Sequence, residues 1–140
     1  MKILAEDLMY FYELEESNIN MILDIEDVSL NIETAIPCGL LINEMVANSL
    51  KYAFPNQKNG EIRIELHSNN EDQFDLTVSD NGVGIPDEIA PENAETFGMQ
   101  LIKYLTKQLK GTIELDNNYG TKYHLKFNEL KYKDRVNTNG

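Results

Sequence analysis

Apolar positions recur along this chain with two different periods. From Lys2 to about Glu16, the residues Ile3, Leu4, Leu8, Phe11 and Tyr12 fall at helical spacing and predict a helix with one apolar stripe. Asn20–Ile25 and Val28–Ile32 alternate apolar and polar residues and predict two short strands, with Glu26-Asp27 as the turn. Pro37 suits a first helical position, where a missing N–H costs nothing. The apolar run from Cys38 to Ala53 then predicts a long helix that Phe54-Pro55-Asn56 stops, with Gln57–Gly60 as a loop.

Two hairpins follow. Glu61–His67 puts Ile62, Ile64 and Leu66 on one face, and after the polar turn Ser68–Asp72 come Phe74, Leu76 and Val78. Gly111–Leu115 and Thr121–Phe127 flank Asp116–Gly120, a turn rich in Asn and Gly. Between the hairpins lie a glycine loop (Asp80–Pro86), a polar stretch (Asp87–Thr96) and a helix from about Gly98 to Leu109. The order predicts an α+β, two-layer fold: one mixed, mostly antiparallel sheet covered on one face by helices. Residues 1–18 read as an N-terminal helix, 19–128 as the folded domain and 129–140 as a polar tail that frays, with Leu130 and Tyr132 as docking points.

Composition narrows the function. The 140 residues carry a formal net charge of −12, which repels nucleic acid and anionic lipid, so any bound phosphate must be held by local features. No long apolar run spans a membrane, and the acidic N-terminus lacks a signal-peptide pattern. The single cysteine, Cys38, excludes an internal disulfide and reads as a small buried hydrophobe. These features suit a reducing cytoplasm.

Candidate chemistry begins on the long helix. Leu41, Ile42, Met45, Val46, Leu50 and Ala53 form its apolar surface, while Glu44, Asn48, Lys51 and Tyr52 share a neighbouring stripe at i, i+4, i+7 and i+8. Mg²⁺ prefers oxygen ligands and keeps waters, so Asn48 suits direct binding and Glu44 binding through water. Lys51 then meets phosphate oxygens, and Tyr52 offers a ring to a base. Taken alone, the stripe reads more simply as a solvated helix edge with an i, i+4 pair.

The glycine loop changes that balance. Gly82 and Gly84 allow close approach of backbone to a ligand, and Asp80 at the strand end is an acceptor suited to an exocyclic amine. An isolated Asp-Asn-Gly is usually a hairpin turn, but a long polar stretch follows this one instead of a strand. Gly98 at a helix start frees backbone amides for an anion. The stretch Asp87–Thr96, bounded by glycines, suits a mobile lid, and Gly120-Thr121 adds a close turn with a hydroxyl.

In order and spacing these segments resemble the GHKL ATPase superfamily, which includes gyrase-type topoisomerases, heat-shock chaperones, mismatch-repair ATPases and histidine kinases. The resemblance is strongest to catalytic domains of sensor histidine kinases whose acceptor domain is of the second HisKA type. It is carried by Ala35-Ile-Pro-Cys-Gly-Leu-Leu-Ile-Asn-Glu-Met-Val-Ala-Asn-Ser-Leu-Lys-Tyr-Ala-Phe-Pro55, by Phe97-Gly-Met-Gln-Leu-Ile-Lys-Tyr-Leu, by Gln108-Leu-Lys-Gly-Thr-Ile-Glu-Leu115 and by Gly120-Thr121, and covers about Asn20 to Phe127.

The resemblance implies a Bergerat-type ATP-binding sandwich with ATP and Mg²⁺ as ligands. Glu44 to Tyr52 becomes the N box, Asp80–Gly84 the first glycine box and Phe97–Leu101 the second. By it, Asn48 coordinates Mg²⁺, Glu44 acts as base or orients a metal-bound water, and Lys51 contacts phosphate. Asp80 binds the adenine amine, and Gly82, Gly84 and Thr121 line the purine pocket. Tyr52, Ile85, Phe97, Gly98, Met99 and Leu101 complete the nucleotide contacts.

Two departures from the family pattern stand out. The second glycine box holds one glycine, Gly98, where many relatives have two. The only histidines, His67 and His124, fall in predicted strands, so no phosphoacceptor is expected here. The expectation is thus the catalytic part of a longer sensor, cytoplasmic even where the full-length protein is membrane-anchored. Its N-terminal helix would be the end of the connection to the acceptor domain. That acceptor domain is the expected direct partner and a response regulator the indirect one, with no nucleic acid and no membrane contact. The alternatives are a nucleotide-responsive interaction module without transfer activity, and a serine kinase of the anti-sigma type.

Overall fold

The computed structural model describes residues 19–26, 29–54, 59–70, 73–84, 97–117 and 119–130. The helix predicted over Lys2–Glu16, the Asp87–Thr96 lid, Ile85 and Tyr132 lie outside these residues. In chain order the elements are β1 (Ile19–Ile25), α1 (Ile32–Asn48) running into a π-helical turn (Ser49–Ala53), and β2 (Gly60–Asn70). Then come β3 (Gln73–Asp80), α2 (Phe97–Gln108), β4 (Thr112–Asp116) and β5 (Thr121–Asn128).

The strands form one sheet in the order β1-β2-β3-β5-β4. β1 runs parallel to β2, from Ile19 opposite Gly60 to Ile25 opposite Leu66, and α1 supplies the crossover that a parallel pair requires. The other three pairings are antiparallel. The expected mixed, mostly antiparallel sheet is therefore present.

Alternation decides which face is covered. Ile62, Ile64 and Leu66, with Phe74, Leu76 and Val78 and with Tyr123, Leu125 and Phe127, turn inward and are buried together with Leu41, Ile42, Met45, Val46, Met99 and Ile102 of the two helices. The intervening residues face away from the helices. There Arg63 lies 3.6 Å from Glu61 and 3.9 Å from Glu65, His67 lies 3.2 Å from Asp24, and His124 lies 3.0 Å from Asp75. Both histidines sit on this outer face, as predicted from their strands. Phe74 and Phe127 stack across the β3–β5 pair at 5.6 Å.

The start of α1 corrects the sequence reading. No strand occupies residues 29–32, and the helix begins at Ile32 instead of Pro37. Asn31 explains the earlier start: its side chain accepts from the Thr34 N–H at 3.0 Å, a standard N-cap. Pro37 consequently lies inside the helix, where it removes one backbone hydrogen bond at a cost of about 3 kcal/mol. Burial of Cys38, Leu41 and Ile42, at about 1.5–3 kcal/mol for each large apolar side chain, outweighs that loss. Cys38 is fully enclosed, and burial pushes its thiol up to about 12, so it is the inert core residue anticipated.

Asn31 also ties down the end of the folded domain. Its backbone N–H donates to Glu129 Oε2 at 2.9 Å, its amide donates to the Leu130 carbonyl, and Leu130 N–H donates to Thr34 Oγ1 at 2.8 Å. Leu130 packs against the core, at the docking point expected for it. Among the described residues, no helix is long and apolar enough to cross a membrane.

One side chain thus caps the helix and clamps the C-terminal segment. Asn31→Ala should lower stability in urea unfolding by about 1–2 kcal/mol, the upper range of an N-cap loss. An unchanged midpoint would mean that neither bond matters.

Candidate functional site

β3 ends on a buried carboxylate. Asp80 is 7% exposed, and an ionised group so placed must be surrounded by donors. Three are present. The Ser49 hydroxyl donates to Oδ2 at 2.7 Å, and the N–H groups of Gly82 and Thr121 donate to Oδ1 at 3.0 and 3.2 Å. These donors come from the end of the long helix, the glycine loop and the start of β5, so one carboxylate joins three segments to its own strand.

Two glycines make this approach possible. Gly120 has φ +78°, and a Cβ there would stand 2.2 Å from the Asp80 carbonyl oxygen. A Cβ on Gly82 would stand 2.3 Å from the Ala53 carbonyl oxygen, which accepts from Val83 N–H at 3.0 Å. The loop therefore lies backbone to backbone against the π-helical turn. Gly84, at φ +89°, faces the side-chain oxygen of Asn117, which accepts from Thr121 Oγ1 at 3.3 Å.

A second cluster forms where α1 meets the first turn of α2. Measured from an ideal Cβ on Gly98, Glu44 Oε2 is 3.0 Å away and Asn48 Oδ1 is 3.8 Å away. The Asn48 amide is buried, and its Nδ2 points the other way, 3.4 Å from Tyr123 Oη and 3.8 Å from the Met99 sulfur. Tyr123 is itself buried. Burial pushes its phenol up to about 12; the Asn48 bond pulls it down and the Asp80 charge adds to the rise. The hydroxyl is therefore protonated at neutral pH. Two acceptor oxygens thus meet at a helix N-terminus, an arrangement whose chemistry fits a hydrated cation carrying phosphates.

The predicted helix stripe splits in two. Glu44 and Asn48 come together at Gly98, while Lys51 and Tyr52 lie in the π-helical turn, whose wider winding carries them off the α-helical line. Lys51 is exposed, with its ammonium 5.9 Å from the centroid of the Tyr52 ring. Phe97 is 78% exposed at the head of α2, Met99 is buried behind Asn48, and Leu101 packs against the core.

Comparison with known proteins identifies the family. Residues 34–131 match the family described as histidine kinase-, DNA gyrase B-, and HSP90-like ATPases. The chain belongs to that family. ATP is the nucleotide this membership implies.

Among relatives, the chain is 30% identical over 84 residues to blue-light-activated histidine kinase 2 of Erythrobacter litoralis, a match covering 60% of this chain and 24% of that protein. It is 34% identical over 85 residues to the serine-protein kinase RsbW of Listeria innocua, covering 51% of this chain and 54% of that one. The chain thus spans only part of each relative. Among solved structures, the histidine kinase domain of the Erythrobacter litoralis EL346 blue-light activated kinase superposes with a TM-score of 0.80 at 21% identity. That superposition covers 93% of this chain and 59% of that one, a likeness of fold.

Two residues that hold Asp80 and Asn48 escaped the sequence reading. Ser49 follows Met45 by four positions and Ile42 by seven, so helical spacing continues the buried side of α1 into the π-helical turn, and a polar residue there was a signal. Tyr123 alternates inward with Thr121 and Leu125, which placed its hydroxyl under the helices.

The fit around Asp80 yields a paired test. Gly120→Ala should destabilise the chain by more than ~1 kcal/mol, because neither the φ angle nor the space admits a side chain. Gly39→Ala, in α1 with nothing within 4 Å, should instead stabilise by about 0.5–1 kcal/mol. Equal effects in thermal unfolding would contradict the close approach at Gly120.

Proposed function

We propose that this chain is the ATP-binding catalytic domain of a sensor histidine kinase, presenting the γ-phosphoryl group of Mg²⁺-ATP to a histidine on an acceptor domain. The observation that carries the reading is the pairing of two polar centres under one helix. At one, Asp80 keeps acceptor capacity beyond the three hydrogen bonds it already receives. At the other, Glu44 and Asn48 oxygens meet at Gly98.

Each residue then has a role. Asp80 accepts from the adenine amine, where guanine would present a carbonyl, and Gly82, Gly84 and Thr121 bound the base. Asn48 would hold the metal directly and Glu44 through water, and bound Mg²⁺ would neutralise phosphate charge. The α2 N-terminus around Gly98 donates to phosphate, and Phe97 borders it. Lys51, free to swing from Tyr52 on an exposed turn, reaches phosphate oxygens. Met99 and Leu101 act from beneath, as packing under the site. Transfer of a phosphoryl group calls on the protein chiefly for position and charge, and the domain uses no covalent nucleophile of its own. The γ-phosphorus–oxygen bond to ADP breaks as a bond to the acceptor imidazole nitrogen forms, and a response regulator would take the phosphoryl group next.

A serine kinase of the anti-sigma type is the second reading, favoured by the 34% identity to RsbW. The two differ in product chemistry: phosphohistidine is lost in acid and phosphoserine survives it. Transfer from labelled ATP to a separately produced acceptor domain, followed by acid treatment, separates them.

The metal assignment has a direct check. Asn48→Ala should remove the gain in ATP affinity that Mg²⁺ brings, read by calorimetry, while far-ultraviolet circular dichroism stays native. An undiminished Mg²⁺ gain in that variant would refute the role.

A further inference from the structure

An asparagine that ligates a metal must present its oxygen, yet the two ends of its amide are nearly the same size and differ only in hydrogen bonding. Something must hold Asn48 the right way round. The buried surroundings of its Nδ2 identify what does. Tyr123 Oη lies 3.4 Å from it and the Met99 sulfur 3.8 Å. A tyrosine hydroxyl alone would accept either end of the amide, because it donates as readily as it accepts. A thioether has no hydrogen and can only accept, so beside it the NH₂ end is favoured over the oxygen. With both amide hydrogens taken inward, Oδ1 is left facing Gly98, beside Glu44 Oε2.

We infer that Tyr123 and Met99 are positioning residues that fix the Asn48 amide with its oxygen toward the phosphate-binding end of α2, so setting the affinity for the nucleotide's divalent cation. The inference rests on the reading of Asn48 as a metal ligand, and goes beyond it by naming what orients the ligand. Both residues are buried to 1% exposure, so neither presents a side chain to a ligand from solvent. Groups that orient a metal ligand from behind typically change metal affinity by about 10- to 100-fold when removed.

Tyr123→Phe keeps the ring in the core and deletes only the hydroxyl. Met99→Leu keeps the volume and deletes the acceptor sulfur, a swap cores tolerate. In the full chain, binding of the β,γ-imido analogue of ATP is titrated calorimetrically across MgCl₂ concentrations and in EDTA. Tyr123→Phe should need about tenfold more Mg²⁺ to reach half of the metal-dependent gain in affinity. Met99→Leu should shift in the same direction, and affinity in EDTA should stay at the wild-type value in both. Combining Tyr123→Phe with Asn48→Ala should add nothing to the effect of Asn48→Ala.

A wild-type Mg²⁺ midpoint in both single variants, with Asn48→Ala still losing the metal response, would overturn this inference alone. Equal loss of affinity with Mg²⁺ and in EDTA would also overturn it, since it would mark a packing role. A wild-type chain whose nucleotide affinity ignores Mg²⁺ would remove the metal reading and this inference together.

Discussion

A buried carboxylate is costly unless donors surround it, and Asp80 draws its donors from three other parts of the chain. The Ser49 hydroxyl fastens the end of the long helix to β3, the Gly82 amide folds the glycine loop back on its own strand, and the Thr121 amide brings in the start of β5. Hydrogen bonds to an ionised group each contribute about 1.5–3 kcal/mol, so the set offsets the burial it makes possible. Remove the carboxylate and each segment keeps a donor with nothing to bond. The site is therefore the junction of the fold as well as the place where a base would bind.

The same helix carries a second polar pair inward at Asn48, and the π-helical turn begins at the next residue. Such a turn weakens backbone bonding locally and tends to occur where a site needs a particular side-chain direction. Here it lets Ser49 reach Asp80, sets the Ala53 carbonyl against the glycine loop, and turns Lys51 out to solvent. Asn48, one residue earlier, stays on α-helical geometry and meets the head of α2. The Asp80 centre and the Glu44–Asn48 centre are thus separated by one change of helical winding.

Alternation made the four antiparallel strands and their inward faces legible, because a strand's period of two admits only one burial pattern. The parallel pairing of β1 was not legible: it depends on where a 17-residue helix returns the chain, which periodicity does not encode. The helix start was misplaced because Pro37 is a common first residue, whereas the cap is Asn31, whose value includes contacts with Glu129 and Leu130 almost a hundred positions later. For the proposed site, motif spacing picked out Glu44, Asn48, Asp80 and the glycines as candidates, and the fold brings Glu44 and Asn48 to Gly98 and sets Gly82 and Gly120 against Asp80 and the helix end. Ser49 and Tyr123 were not picked out, since their roles are to hold Asp80 and Asn48, and such partners appear only once distant strands and helices meet.

Asp80, held by its three donors, is proposed to select adenine. Competitive calorimetry of ATP against GTP on the native chain in excess Mg²⁺ tests it most directly, since both nucleotides carry the same phosphates and metal. ATP should bind, and GTP, which would set a carbonyl against the carboxylate, should bind roughly a hundredfold or more weakly. Equal affinity for the two would contradict it.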